Sequence, residues 1–221
     1  MKALLLVDIQ NDFLPGGALA VPQGDEVIPV ANLLQLHFDR VIATQDWHPE
    51  DHGSFASNHS EKQPGEVVEL AGQSQILWPV HCVQGTPGAE LAPGLERAKI
   101  EKLFFKGVDP QVDSYSAFFD NAAQRSTGLI EYLRMTLVDE IYILGLATDY
   151  CVKFSALDAA QLGLRTTVIE DGCRGVELAV GDSKRAFDAM QQAGVDVVSS
   201  SEILGAGAPV PAVAGLRAVT A

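Results

Sequence analysis

Three side chains with complementary chemistry, Asp8, Lys106 and Cys151, stand far apart in this 221-residue chain, each where a short apolar run gives way to a loop or a helical segment. A carboxylate, an ammonium and a thiol together suit a cysteine hydrolase, in which a base activates a sulfur nucleophile. Cys151 carries the most weight. It ends Gly145-Leu146-Ala147-Thr148-Asp149-Tyr150-Cys151, after the strand-like Glu140-Ile141-Tyr142-Ile143-Leu144 and at the opening of a helical segment reaching about Leu162. A cysteine in the first turn of a helix faces unpaired amides and the positive end of the dipole, which favours thiolate and lowers its pKa.

A second cluster could hold a metal. Asp46 and His48 follow the second apolar run and are separated by one residue, so in extended backbone both project to the same side. With His81, which would come in from the chain's return, they make a donor set suited to divalent zinc, iron or manganese. His48 and His52 have an i, i+4 spacing, but Pro49 and Gly53 argue against a helix there. Phe13, Trp78 and Tyr115 each lie beside a candidate polar group, the pattern of an aromatic pocket around a flat ligand. Each of these residues also has a plain reading. Asp8 could cap a turn, Lys106 could be a solvated charge, Cys151 a small core hydrophobe, and loop histidines surface hydrogen-bonding groups. A phospho-acceptor reading of Asp8 calls for a second acidic residue two positions on, where Gln10 stands.

The elements that must position these groups alternate in type. Apolar, β-branched runs near 3–8, 40–44, 100–105, 140–144, 165–169 and 195–199 read as strands. Segments near 25–38, 126–135, 149–162 and 182–193 read as helices, with Ser126 or Thr127 as a start signal and Gly163 and Gly194 as stops. This rhythm predicts an α/β fold: a single domain with a doubly wound, mostly parallel six-stranded sheet and helices on both faces. The domain is expected over 1–204, followed by an Ala/Gly/Pro-rich tail over 205–221. From 45 to 93 the chain is rich in Gly, Pro, His, Ser and Asn, and a long irregular stretch inside a compact domain is usually functional.

Composition narrows the partners. The chain is 47% hydrophobic and 20% charged, an ordinary globular balance. Its net charge is -14, from 29 acidic and 15 basic residues without a Lys/Arg cluster, which disfavours nucleic acid and anionic membranes and leaves a small molecule as the expected partner. The apolar N-terminal run stops at Asp8, too short for a signal peptide's core or a membrane span. Three cysteines without a CxxC spacing suggest neither a disulfide framework nor a thiolate zinc cage, so a reducing cytoplasm is expected. A homo-oligomer is compatible with all of this.

Five segments, in order, resemble a known family: Leu6-Val7-Asp8-Ile9-Gln10-Asn11-Asp12-Phe13, Thr44-Gln45-Asp46-Trp47-His48-Pro49, Trp78-Pro79-Val80-His81-Cys82-Val83, Phe105-Lys106-Gly107 and Gly145 to Val152. They are similar to nicotinamidases (pyrazinamidases) of the isochorismatase-like cysteine hydrolases, over about residues 2 to 200. The resemblance implies hydrolysis of nicotinamide, an aromatic amide, to nicotinate and ammonia as a step of NAD salvage, with pyrazinamide as a further substrate. It implies Asp8, Lys106 and Cys151 as the triad, amides of Ala147 and Cys151 as an oxyanion hole, and Asp46, His48 and His81 as ligands of one divalent metal ion. Some members have a histidine where Ser54 stands here, so the serine hydroxyl or water would complete the metal shell. Phe13, Trp78, Tyr115 and Tyr150 would line the substrate pocket, and a cis peptide would fall between Leu146 and Ala147. The alternative is another cysteine amidohydrolase of the superfamily, acting on a carbamoyl or ureido substrate. A non-catalytic binding protein of the same fold would be expected to have lost one member of the triad, and none is missing.

Overall fold

Residues 1–205 are described by the structure, a computed structural model. The chain runs β1 (Lys2–Val7), α1 (Val27–Leu34), β2 (Arg40–Asp46), β3 (Val67–Leu70), β4 (Gln73–Ile76), β5 (Ile100–Lys106) and α2 (Leu129–Met135). It continues through β6 (Glu140–Leu146), α3 (Lys153–Gln161), β7 (Arg165–Arg174), α4 (Asp182–Gln192), β8 (Asp196–Val198) and α5 (Ser200–Leu204). Six strands form one parallel sheet in the order β5-β2-β1-β6-β7-β8. The chain builds outward from β1 through β2 to β5, then returns to β6 and builds the other way. Right-handed crossovers laid in opposite directions place α1 and α3 on opposite faces. The packing agrees, since α1 and α5 meet each other over β7 while α3 and α4 pack together against β7 and β8.

Strands covered on both faces are apolar without alternation, and that is what β1 and β6 show. All of β1 after Lys2 is buried, and all seven residues of β6 are buried. α1 supplies Val27, Val30, Ala31 and Leu34 to the same core. The two glycine stops fall where expected, just beyond α3 and α4. The start of α2 differs in detail: Gly128 is the capping residue, and the Ser126 and Thr127 hydroxyls accept the amides of Gly128 and Leu129.

The irregular stretch contains one element that sequence pattern did not reveal. β3 and β4 form an antiparallel hairpin whose two-residue turn, Ala71-Gly72, has both φ angles positive. α5 is a further addition, closed by a capping box between Ser199 and Glu202. The tail expected over 205–221 lies, apart from Gly205, outside the described residues. Among the described residues no helix is long and apolar enough to cross a membrane.

At the centre of the sheet, Val7 of β1 pairs with Gly145 of β6, and β6 shifts register against β7 between Ile143 and Gly145. Gly145 has φ +131°, and a Cβ there would collide with the Val7 carbonyl oxygen. Gly145→Ala should therefore destabilise the protein by roughly 2 to 5 kcal/mol, combining a strained φ with overpacking. Denaturant unfolding measures this, and a loss under about 0.5 kcal/mol, the range of ordinary surface changes, would mean that β1 and β6 separate without cost.

Candidate active site

Four strand ends meet at one edge of the sheet. Asp8 directly follows β1, Asp46 ends β2, Lys106 ends β5, and Cys151 lies five residues beyond β6. This is the carboxyl edge of a parallel sheet at the point where strand order reverses, between β1 and β6. In-register pairing sets Asp46 beside Lys106. Gln10 locks the neighbouring ends together: its amide donates to the Asp46 carbonyl and its side-chain oxygen accepts the Asp46 amide, each at 2.8 Å. That explains the glutamine where a second phospho-site carboxylate would have stood.

Lys106 is 2% exposed and sits among opposite charges. Its Nζ donates to Asp46 Oδ1 at 3.0 Å, the Ser114 carbonyl at 2.9 Å and Cys151 Sγ at 3.3 Å. Asp8 Oδ2 also lies 2.9 Å from the ammonium, so four acceptors compete for three hydrogens. The other oxygen, Asp8 Oδ1, accepts the Thr44 hydroxyl at 2.7 Å, and that hydroxyl oxygen accepts the Asp8 amide. Asp8 takes φ +48°, a conformation that Asp tolerates better than most residues. Burial alone would discharge such a lysine, but Asp46 and Asp8 raise its pKa well above the ordinary value. Burial pushes the Asp8 carboxyl up, with Lys106 and Thr44 pulling the other way.

Cys151 differs from the sequence expectation. Rather than sitting in the first turn of a regular helix, it is the fourth residue of a π-helical turn, Thr148–Val152, that leads into α3. The sulfur is buried, and burial raises its pKa well above the usual thiol value, against the lowering effect of Lys106. Desolvation is the largest influence, and its direction favours the thiol over a preformed thiolate. The Leu146–Ala147 peptide is cis, as the resemblance implied.

The second cluster adjoins the first through Asp46. Ligand atoms of Asp46, His48 and His81 all lie within 4.8 Å of one another, and all three residues are buried. The His48 ring puts Nδ1 2.9 Å from the Gly107 carbonyl and Nε2 3.0 Å from Asp46 Oδ2; the His81 ring puts Nδ1 2.8 Å from the Pro79 carbonyl and Nε2 3.5 Å from the same oxygen. Donation from each Nδ1–H to a carbonyl leaves both Nε2 lone pairs and Asp46 Oδ2 converging, the orientation that supporting hydrogen bonds give to metal ligands. A hard or borderline divalent cation fits this set. Burial works against the Asp46 charge, but His48 and Lys106 hold its carboxyl well below the usual range, so it remains an anionic donor. Gly107 presses from below: at φ +64° a Cβ would strike the His48 ring and come within 2.9 Å of Asp46 Oδ1.

Above both clusters is a tight cavity of about 30 Å³. Phe13, Trp78, Tyr115 and Tyr150, the four expected pocket residues, all line it, with Ala147, Cys151, Asp46 and His81 at its polar end. Trp78 and Tyr115 each present an edge to Tyr150, and Phe13 tilts over His81 at 5.6 Å.

Comparison with known proteins places this geometry. The family model "Isochorismatase domain" matches residues 2–202. The chain belongs to the isochorismatase family. Among its curated relatives is the Escherichia coli nicotinamidase, 52% identical over 205 residues, covering 91% of this chain and 96% of that one. Solved structures it resembles include an Acinetobacter baumanii nicotinamidase/pyrazinamidase (46% identity, TM-score 0.89, 91% and 97% of the two chains). Others are the yeast nicotinamidase bound to the inhibitor nicotinaldehyde (37%, 0.85, 90% and 100%) and a Pyrococcus horikoshii pyrazinamidase in complex with zinc (36%, 0.72, 90% and 98%).

In this isochorismatase-family site, two residues that sequence reasoning set aside or missed stand next to the donor group. His48, His52 and Asp113 form a second cluster of buried candidate ligands within 4.8 Å of one another. The His52 ring lies 4.3 Å from that of His48 although no helix links them. His52 Nδ1 accepts the Ser54 amide, so its hydrogen sits on Nε2, which is buried and has no partner. The Ser54 contact thus occupies Nδ1, and any further role of the ring falls to Nε2. Ser54, for which a contact to metal through its hydroxyl or through water was expected, bonds through Oγ to His52 Nδ1 at 2.7 Å. Asp113 had no sequence signal beyond its place seven residues after Lys106.

Lys106→Met should leave Asp8 and Asp46 facing each other without a buried cation, at a cost of about 3 to 5 kcal/mol. Urea unfolding at neutral pH checks this. A loss below about 1 kcal/mol, the range of an exposed ion pair, would show that the two carboxylates are neutralised by some other group.

Proposed function

We propose that this chain hydrolyses nicotinamide to nicotinate and ammonia, serving NAD salvage, and that it accepts pyrazinamide as well. The observation that carries the reading is a thiol lining an aromatic-walled cavity beside Asp46 and His81 of the metal-type donor group, with a buried ammonium and a carboxylate behind it. The named activities of the relatives support it. A cytoplasmic setting belongs to the reading and is supported by three cysteines that are all free.

Asp8 Oδ2, the open lone pair, takes the proton of the Cys151 thiol, and Lys106 stabilises the thiolate across the 3.3 Å contact. The sulfur attacks the carboxamide carbon, forming an S–C bond as the carbonyl π electrons move to oxygen. Amides of Ala147 and Cys151 are assigned to that oxyanion. Asp8 returns its proton to the nitrogen, the C–N bond breaks, and ammonia leaves. Water, deprotonated by the same carboxylate, then attacks the thioester; nicotinate departs and the proton returns to sulfur. Phe13, Trp78, Tyr115 and Tyr150 enclose the flat ring, with half-buried Leu19 and Val176 completing the apolar lining. Asp46, His48 and His81 would hold one divalent ion of the zinc, iron or manganese class, which when bound offers a Lewis-acid contact for the pyridine nitrogen. A carbamoyl or ureido substrate lacks a ring nitrogen to use that donor group, which favours the pyridine amide.

Purified protein should release ammonia from nicotinamide, and Cys151→Ala should abolish release while leaving fold and metal content unchanged. No release by metal-supplied wild type would sink the substrate assignment. Removing metal with a chelator, or by His81→Ala, should raise KM by about tenfold or more, with a smaller effect on kcat, because ring orientation is lost before bond chemistry. Equal metal content in His81→Ala by elemental analysis would refute that ligand.

The pH dependence follows from Asp8. Its basic form is the active one, and its pKa is raised, so kcat/KM should fall with acid at a pH above the ordinary carboxylate value of 3.8. Thr44→Val removes a hydrogen bond that lowers this pKa, so the acid limb should move further upward. A limb that stays put in the pH–rate profile would separate it from Asp8.

A further inference from the structure

We infer that Gln75, on the β3–β4 hairpin, is a positioning residue that fixes both the ring wall and the acidic flank of the metal-type donor group. The inference rests on the nicotinamidase reading for its substrate and extends it to a residue outside the cavity.

Gln73 and Ser74 on the same strand are exposed, yet Gln75 is 2% exposed. A buried primary amide is costly unless its hydrogens and oxygen find partners. Gln75 Nε2 lies 3.0 Å from Asp113 Oδ2, 2.9 Å from the Tyr115 hydroxyl oxygen and 2.7 Å from the Ile76 carbonyl, two hydrogens for three acceptors. Its Oε1 accepts from Asn121 Nδ2 at 3.4 Å. The two long-range acceptors both belong to the site. Tyr115 walls the cavity, and its hydroxyl also accepts the Trp78 indole N–H at 3.1 Å, so one oxygen pins two walls. Asp113 faces His48 and His52, and its other oxygen accepts the Ser114 amide at 2.7 Å. Gln75 thus sets the second oxygen of Asp113 and the tilt of Tyr115 with a single amide. It does not line the cavity and touches no reacting group, which confines its effect to binding and placement.

The test is Gln75→Leu, a slightly shorter apolar side chain that removes the hydrogen bonds. KM for nicotinamide should rise about tenfold, with kcat within about threefold, the split expected when ring placement is lost and bond chemistry is retained. In a Cys151→Ala background, nicotinate binding by calorimetry should weaken by a similar factor, and bound metal should be lost to a chelator several-fold faster. Gln75→Glu, near-isosteric but without the two hydrogens, should give the same KM rise, so a variant that fails to fold does not end the test. Gln73→Ala on the exposed face of the same strand is the control and should behave as wild type. Combining Gln75→Leu with Tyr115→Phe should do less harm than the sum of the single changes, since the Gln75–Tyr115 contact is lost in both while each also loses a bond of its own, to Asp113 or from Trp78. An unchanged KM in either folded Gln75 variant, a fall in kcat at constant KM, or full additivity with Tyr115→Phe would overturn the inference. Wild type that releases no ammonia would refute the substrate instead; the role of Gln75 is then decided by metal retention, and retention equal to wild type in Gln75→Leu overturns it.

Discussion

One buried ammonium organises this molecule. Lys106 lies between two carboxylates and a thiol, all out of contact with water, and none of these groups would be tolerable there alone. Asp8 and Asp46 keep the lysine charged, and the lysine keeps them from repelling each other. Because the three come from the ends of β5, β1 and β2, the charge cluster also fixes how those strand ends sit relative to one another. Sheet register brings the groups together, and their electrostatics hold the register's end point. Asymmetry inside the cluster is what turns it into chemistry. Lys106 has three hydrogens for four neighbouring acceptors, so it shares itself among them and does not saturate Asp8. A fully satisfied carboxylate would be a poor base; this one retains a lone pair.

Much of this is legible in the amino-acid sequence. Polar residues that end apolar runs stand out because parallel strands buried on both faces have no other use for them, and Asp8, Lys106 and Cys151 are of that kind. The residue-level pattern also places the six-stranded sheet, and Asp46, His48 and His81 as donors. Contact across long loops is what such a pattern does not carry. Asp113 and Gln75 look like any polar loop residues; only folding of the 107–121 segment against the hairpin brings them within 3.0 Å of each other. The hairpin itself is hidden because its turn is Ala-Gly rather than Asn-Gly, and because exposed Gln73 and Ser74 dilute the strand pattern. The Cys151 pKa departs from expectation for a related reason. A helix terminus can be read along the chain, whereas desolvation, the largest influence on this thiol, comes from residues distant in sequence.

The aromatic and ionic halves of the site are not independent layers. Asp46 gives Oδ1 to Lys106 and Oδ2 to the imidazoles, so the same carboxylate belongs to the charge balance around the Cys151 thiol and to the donor group beside the cavity. Gln10 and Gly107 confine it from either side, one through its backbone and the other through the space a side chain would need. A displacement of β2 relative to β5 would disturb both halves together.

That double employment has an evolutionary consequence. A descendant that came to act on an amide without a ring nitrogen would have no need of His48 or His81, and selection on both could relax. Asp46 would remain under constraint, since its other oxygen still balances Lys106. Substrate range can therefore drift through the histidines, Asp113 and the aromatic walls, while the carboxylate persists for its hold on the lysine alone.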